Sequence, residues 1–185
     1  YYNLNPNFLN QLQKKLTKRK QPVLLTLRSF TEGGQQKLSN PQREIILLNL
    51  LSWIDAIDIE QAQVKAMPQL LKAIQKKKIP LILSAHSFQK SLSQNQLRAL
   101  LQKMQKLPAT VYKIASRCDS VAQLTLLLQN QIHFNSLPLA LMGMGEMAVP
   151  SRQILPLVGS KLVYGYLDAP TAPGQPHVKT LAKGL

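Results

Sequence analysis

Short apolar runs alternate along this chain with longer segments of helical periodicity, and this alternation constrains the fold more than any other feature. The runs are spaced at the interval of one strand plus one helix. Because strands that alternate with helices pair in parallel, the pattern predicts an α/β fold, either an open doubly wound sheet or a closed barrel. The candidate strands lie at residues 23–27, 56–60, 81–85, 111–115, 139–142 and 161–164.

The sequence favours the barrel over the open sheet. An open sheet of this class often carries a glycine-rich phosphate-binding turn, and neither a GxGxxG nor a GxxxxGK[ST] pattern occurs in the sequence. A TIM-type (β/α)8 barrel usually takes about 250 residues. With 185 residues and six candidate strands, we expect a single barrel domain over residues 1–185 that is short of such a fold by about two strands.

Start signals predict where several of the helices begin. A side-chain oxygen at the N-cap position satisfies backbone N–H groups of the first turn, and a glutamine three residues later completes a capping box. Proline is also favoured in the first turn. The predicted starts are Asn40 before Pro41, Ser93 with Gln96, and Ser120 with Gln123.

Composition narrows the class of protein and its partners. No run of about 18 uncharged apolar residues is present and the first residues do not resemble a signal peptide, so we expect a cytoplasmic protein with no membrane contact. The single cysteine, Cys118, cannot form an internal disulfide. The net charge of +15 leaves nucleic acid, an anionic membrane or an anionic substrate open. The basic runs at 14–20 and 76–78 are typical of solvated helix ends, and no aromatic residues interleave them, so we expect no specific nucleic-acid binding.

Reactive residue types follow the candidate strands. In a parallel barrel the functional groups collect at the carboxyl ends of the strands. Few acidic residues exist in this chain, yet three of them occur at these ends, and we expect two of those, Asp58 and Glu60, to pair with buried arginine or lysine. The residues at the strand ends are Arg28, Glu32, Asp58, Glu60 and His86, and Lys113 lies within the fourth strand.

Lys113 is the most informative of these residues. A lysine inside an apolar run should point into the barrel or under a helix, where a charge is costly. Two interpretations stay open on the pattern alone: a lysine that extends its ammonium group to solvent, or an amine kept neutral so that it can attack a ketone. His86 could exchange protons at the same mouth, and Arg152 could bind a carboxylate through its planar guanidinium.

Taken together, five stretches resemble the type I 3-dehydroquinate dehydratase family in order and spacing. The resemblance runs along nearly the whole chain. The stretches are Arg-x-x-x-Glu-Gly-Gly at 28–34, Asp-Ile-Glu at 58–60, Ser-x-His-x-Phe at 84–88, Lys-Ile-Ala at 113–115, and a closing series of Met-Gly at 142–143, Ser-Arg at 151–152, Gly-Ser at 159–160 and Ala-Pro-Gly-Gln at 172–175.

The resemblance implies a carbon–oxygen lyase that dehydrates 3-dehydroquinate in the shikimate pathway without a metal or organic cofactor. It implies that Lys113 forms a Schiff base with the C3 ketone, that His86 moves the protons, and that Glu32 orients His86. It further implies substrate contacts from Arg152, Arg28, Gln175 and Thr171. Thr171 stands where the family usually has serine.

Two substitutions and one missing segment depart from the family pattern. Ser87 replaces the aspartate that usually follows the histidine, and Ala148 replaces a usual glycine. Neither removes a group from the implied mechanism. The family also begins with about two further strands, so the resemblance implies a TIM-type barrel from which the first two strands are missing. We expect either an active enzyme, as a homodimer and with a possible fusion to shikimate dehydrogenase, or an inactive relative that serves as a scaffold or interaction module.

Overall fold

A computed structural model describes residues 6–184, and these residues form two compact units. The described part of the first unit runs from residue 6 to Phe30 and from Gly34 to Leu81. The second unit consists of Thr31–Gly33 and the described residues from Ile82 onwards. Within the described residues, no helix combines the length and apolar character that crossing a membrane requires.

The first unit consists of two parallel strands with helices packed around them. Strand β1 pairs with β2 so that Leu24 lies opposite Ala56 and Thr26 lies opposite Asp58. Large aliphatic side chains of β2, α2 and α3 fill its core. The elements are α1 (Pro6–Thr17), β1 (Leu24–Thr26), α2 (Asn40–Leu50), β2 (Ala56–Glu60) and α3 (Pro68–Lys77), with short 3-10 helices at Leu51–Trp53 and Val64–Ala66.

The second unit is built on three parallel strands that follow one another in space as in sequence. Lys113 of the middle strand lies opposite Ser84 on one side and Ala140 on the other. The elements are β3 (Leu81–Ser87), α4 (Gln94–Met104), β4 (Val111–Arg117), α5 (Val121–His133), β5 (Leu139–Met144), α6 (Ala148–Ile154) and α7 (Val178–Gly184), with 3-10 helices at Phe30–Glu32 and Leu155–Val158. The predicted alternation of parallel strands and helices is confirmed in both units.

The prediction that Asn40 caps α2 is wrong by one residue. Ser39 is the N-cap, because its backbone is extended and its side chain accepts the N–H of Gln42, whose side chain completes a capping box. Asn40 is already helical, and its side chain donates to Gln63 and accepts from Arg43. Ser39 therefore caps the helix, and the Asn40 side chain contacts Gln63 and Arg43 instead.

The other two predicted helix starts both have the expected serine cap, but only one of them forms a complete capping box. Ser93 caps α4 with the complete capping box that its spacing to Gln96 predicts. Ser120 caps α5 through the N–H of Gln123. The second half of that box is absent, since the Gln123 side chain accepts the backbone N–H of Asp119 instead, at 2.7 Å.

The predicted sixth strand at 161–164 does not form. Lys161 N donates to Leu139 O at 2.9 Å, but no strand ladder continues from this contact. Ser160 instead reaches β5 through its side chain, which donates to Leu141 O. An apolar run can be buried beside a strand without regular backbone pairing, and its period cannot distinguish the two cases.

A buried network of charges organises the carboxyl end of the two strands in the first unit. Glu60 accepts from both Arg28 and Arg43, and Asp58 accepts from Arg28. Neither carboxylate side chain has any solvent exposure. Arg43 also donates to Leu27 O, and Ser29 N donates to Glu60 at 2.7 Å. The predicted pairing of Glu60 with a buried arginine, Arg43, is confirmed, and Asp58 pairs with Arg28, whose side chain is 16% exposed.

Replacing Glu60 should therefore destabilise the protein strongly. In Glu60→Gln the amide has nearly the same shape but leaves two guanidinium groups without their shared anion. Removing one partner of a buried ion pair costs about 3 to 5 kcal/mol. We expect a loss of this size in the free energy of unfolding, measured by urea denaturation with circular dichroism.

Asp55→Asn is the matched control for this experiment. Asp55 also pairs with an arginine, Arg19, and accepts the N–H of Val23, but its side chain is 49% exposed. Solvent screens such a pair, so the loss should be much smaller. Equal effects of the two substitutions would contradict the view that burial, rather than pairing alone, makes the Glu60 network important.

Candidate active site

Lys113 lies in the middle of β4 and is almost completely buried, with 5% of its surface exposed. Side chains two residues apart along a strand face the same side of the sheet, and residues in register on parallel neighbours do so too. Ser84 is in register with Lys113, and His86 follows two residues later on β3. Lys113 and His86 therefore share one face of the sheet as diagonal neighbours.

An aromatic ring lies beside the Lys113 amine. Its Nζ lies 4.5 Å from the centre of the Tyr164 ring. A buried apolar cluster lies farther along the same face, because Ala115 follows Lys113 by two residues. This cluster consists of Ala115, Met142 and Met144, with Phe88, Tyr164 and Ala172 packed against it. The face of an aromatic ring attracts a cation, so this contact accommodates the ammonium form of Lys113, whereas the neutral amine is the form that attacks carbonyl carbon.

Glu32 contacts His86 through both the backbone and the ring of the histidine. Glu32 Oε2 accepts the backbone N–H of His86 at 3.0 Å and lies 2.9 Å from its Nδ1. Both side chains are largely buried, with 7% of the His86 side chain and 13% of the Glu32 side chain exposed. An ionised carboxylate can only accept hydrogen bonds, so this contact holds the proton on Nδ1 and makes Nε2 the basic nitrogen.

The segment that carries Glu32 turns sharply at glycine. Glu32 ends a 3-10 helix, and Gly33 follows with a φ of +89°. A Cβ atom at Gly33 would lie only 2.7 Å from the Phe88 ring. That ring in turn lies 6.0 Å from the His86 ring and nearly parallel to it. The glycine thus lets the Glu32 turn approach the end of β3 closely enough to reach the imidazole.

Arg152 is a buried cation on α6 with 2% of its surface exposed. Its guanidinium donates to the carbonyl oxygens of Gly143, Ala148 and Tyr164. Within residues 6–184 no ion pair to a carboxylate involves Arg152. Burial lowers the pKa of this guanidinium to about 10, so the group is still charged at neutral pH. A buried arginine held by neutral carbonyls is suited to receive an anionic ligand.

The remaining predicted substrate contacts lie in two places. Thr171 and Gln175 contact each other, since both the backbone N–H and the hydroxyl of Thr171 donate to Gln175 Oε1 at 2.8 and 2.9 Å. Arg28 belongs to the first unit, where its guanidinium is paired with Asp58 and Glu60. The substrate contacts of all three residues stay predictions.

Sequence reasoning missed Tyr164, which lies over the Lys113 amine. A signal was present, because Tyr164 ends an apolar run that follows the Gly-Ser at 159–160. The sequence predicts a strand for that run, and a strand pattern alone does not reveal which residue of a neighbouring strand Tyr164 contacts. Among the described residues, no group of three or more His, Cys, Asp or Glu side chains is placed to hold a metal ion.

Comparison with known proteins identifies the family. The family model described as type I 3-dehydroquinase matches residues 3–185 of this chain. The chain belongs to the type I 3-dehydroquinase family. A relative from Enterococcus faecalis named 3-dehydroquinate dehydratase is 32% identical over 97% of this chain and 73% of its own length. A bifunctional 3-dehydroquinate dehydratase/shikimate dehydrogenase from Arabidopsis thaliana is 30% identical over 95% of this chain and 29% of its own length.

Solved structures of type I 3-dehydroquinases agree with the fold. The 3-dehydroquinate dehydratase structure from Enterococcus faecalis aligns with a TM-score of 0.81 and 28% identity, covering 97% of this chain and 75% of that one. The Clostridium difficile type I enzyme aligns with a TM-score of 0.81 and 25% identity, covering 95% and 74%. The predicted TIM-type α/β fold and the resemblance to this family are confirmed.

Cys118, one residue beyond β4, should be an unreactive thiol. It is completely buried, and burial, with a smaller contribution from the Asp119 charge, raises its pKa to about 11. Thiolate is the reactive form, so at pH 8 a thiol-specific disulfide reagent should react about 100-fold more slowly with the native protein than with the protein unfolded in urea. Cys118→Ser should remove the signal in both states.

The same shift fixes the direction of a pH effect on stability. The folded pKa of Cys118 lies above its ordinary value of 9.0, so the unfolded state loses the thiol proton first. The contribution of the buried neutral thiol to the free energy of unfolding is therefore complete below pH 9, and it is lost as the pH rises towards 11. Native Cys118 that reacts at the unfolded rate would contradict both expectations.

Proposed function

We propose that this chain dehydrates 3-dehydroquinate to 3-dehydroshikimate through a Schiff base on Lys113, the third step of the shikimate pathway. The observation that carries the proposal is the placement of a buried lysine and a carboxylate-oriented histidine on one face of β3 and β4. Membership of the type I 3-dehydroquinase family supports the same reaction. No metal or organic cofactor takes part in the proposed chemistry.

The reaction begins with attack of the Lys113 amine on the C3 ketone. A carbinolamine forms, and its loss of water gives an iminium ion with a bond between Nζ and C3. His86 supplies and removes the protons of these steps. The amine must be neutral when it attacks the ketone carbon. The iminium then serves as an electron sink for the adjacent carbon.

His86 carries out the elimination that follows. Its Nε2 removes the proton from C2, and the electron pair of the C–H bond moves to the iminium nitrogen to give an enamine. Nε2 of His86 then donates this proton to the C1 hydroxyl, which leaves as water while the iminium re-forms. Hydrolysis of that iminium releases the product and restores Lys113. Glu32 keeps the Nδ1 proton in place and stabilises the imidazolium between the two transfers.

Arg152 binds the substrate carboxylate in this proposal. Its buried charge is surrounded by carbonyl oxygens, and a carboxylate would supply the anion that these neutral groups do not. Gln175, Thr171 and Arg28 hold the remaining oxygens of the substrate. The excess of basic residues would also attract an anionic substrate by long-range electrostatics.

We further propose that residues 1–185 act as one partial barrel domain in the cytoplasm and that the chain forms a homodimer. A single family match that spans residues 3–185 supports one domain. Two large leucine side chains are exposed in the second unit, Leu157 at 76% and Leu167 at 73%, and burying them against a second copy would remove apolar surface from water. The bifunctional relative from Arabidopsis thaliana supports fusion to a shikimate dehydrogenase in a longer parent protein.

Trapping the Schiff base tests the proposed function directly. The protein is mixed with 3-dehydroquinate and sodium borohydride and then analysed by peptide mass spectrometry. We expect one reduced adduct, which maps to Lys113 and is absent from Lys113→Ala. Lys161→Ala, which removes an exposed lysine of the same unit, should give the same adduct as the wild type.

The opposite outcome separates the two interpretations of the chain. If the folded wild-type protein gives no adduct and no turnover, the chain is an inactive relative, and a role as a scaffold or interaction module replaces catalysis. An adduct on a lysine other than Lys113 would overturn the assignment of the nucleophile.

The orienting role of Glu32 predicts a distinct kinetic effect. In Glu32→Gln the amide can donate to Nδ1, which places the imidazole proton on Nε2 and removes the base. We expect kcat to fall by about 100-fold or more while the borohydride adduct still forms slowly. The exposed acid Asp168, changed to Asn, serves as the control and should leave kcat unchanged. Equal kcat values for Glu32→Gln and the wild type would contradict the role of Glu32.

A further inference from the structure

The end of β4 carries an ion pair that the proposed chemistry does not use. Arg117, the last residue of the strand, donates through Nε to Asp119. The two side chains are partly exposed, at 40% and 31%, so solvent screening limits what the pair adds to stability. The contacts of Asp119 with the neighbouring loop point to a different role.

Asp119 is held at both its backbone and its side chain. Its backbone N–H donates to Gln123 in the first turn of α5 at 2.7 Å. One carboxylate oxygen accepts from Arg117, and the other accepts the backbone N–H of Glu146 at 3.1 Å. The Arg117 side chain and the Glu146 N–H both lower the pKa of this carboxyl, so it is charged at neutral pH. Asp119 thus joins the end of β4 to the loop that follows β5.

Two backbone hydrogen bonds reinforce this junction. Cys118 N donates to Met144 O at 2.7 Å, and Met147 N donates to Cys118 O at 2.9 Å. Gly145 lies between them with a φ of +94° and packs directly on the carboxylate, since a Cβ atom there would lie 2.2 Å from Asp119 Oδ1. No side chain other than hydrogen fits at this position.

The loop after β5 in turn supports the loop that carries Thr171 and Gln175. Gly145 N donates to Pro173 O at 3.2 Å. Gly174, with a φ of +70°, approaches so closely that a Cβ atom there would lie 2.4 Å from Gly145 O and 2.6 Å from Ala148 Cβ. The Asp119 carboxylate, the Gly145 backbone and the Gly174 backbone therefore stack on one another.

We propose that Asp119, oriented by Arg117, is a positioning residue that sets the substrate-contacting loop 171–175 through the loop at 145–147. The inference rests on the proposed function, because it assumes that Thr171 and Gln175 contact the substrate. Asp119 does not touch the reacting atoms. Its loss should weaken substrate binding more than it slows the chemical steps on Lys113 and His86.

The test compares Asp119→Ala and Asp119→Asn with the wild type. The alanine variant loses both side-chain contacts, whereas asparagine retains an oxygen for the Glu146 N–H but loses the charge that orients Arg117. For Asp119→Ala we expect KM to rise by about tenfold, with kcat changed less than about twofold. Asp119→Asn should fall between the alanine variant and the wild type.

A second measurement does not depend on activity. Hydrogen exchange followed by NMR reports the Gly145 amide, which bonds to Pro173, and the Glu146 amide, which bonds to Asp119. Both should exchange about tenfold faster in Asp119→Ala, while amides in the middle of β4 keep their wild-type rates. Glu146→Gln is the matched control, since it removes a carboxylate from the same loop but keeps the backbone N–H. It should leave exchange and KM unchanged.

The possible failures are distinguishable. Wild-type KM and wild-type amide exchange in Asp119→Ala would overturn the positioning role. A lower melting temperature with unchanged KM would also overturn it and would leave Asp119 a merely structural residue. If the wild type forms no adduct with 3-dehydroquinate, the proposed function fails and the inference fails with it as a statement about substrate binding, even where the exchange result shows that Asp119 orders the loops.

Discussion

The parallel register of β3, β4 and β5 is the constraint on which the candidate site depends. It places Ser84, Lys113 and Ala140 side by side and puts His86 on the same face as Lys113. A shift of one residue would turn every side chain of a strand to the opposite face. Apolar residues on both faces hold that register, so the packing of the second unit also determines which polar groups can meet.

The buried charged groups of this protein have two kinds of surroundings. In the first unit Glu60 and Asp58 lie beside Arg28 and Arg43, so the buried charges compensate one another. In the second unit Arg152 is equally buried but surrounded by carbonyl oxygens, and its pKa falls to about 10. The first arrangement stabilises strand ends, whereas the second leaves a positive charge that an anionic ligand would complete.

Close approaches of backbone explain why glycine stands at particular points near the site. Gly33 allows the turn after Glu32 to pack against Phe88, and Gly145 allows the loop after β5 to rest on Asp119. Both have positive φ values, which non-glycine residues rarely adopt. Gly33 lets the Glu32 carboxylate reach the imidazole of His86. Gly145 lets three loop segments contact one another.

The sequence by itself determined the kinds of elements, where most of the strands begin, and which residues are candidates for the chemistry. Periodicity and capping signals were enough for the parallel strands and the starts of α4 and α5, and motif order singled out Lys113, His86 and Glu32 as candidates, because these depend on local pattern or on recurring spacing. Only the tertiary structure decided that 161–164 forms no strand, that Ser39 rather than Asn40 caps α2, and that Tyr164 covers the lysine. It also revealed the stack of Asp119, Gly145 and Gly174. Such contacts join residues far apart in the chain, and they depend on competition among partners that no local pattern records.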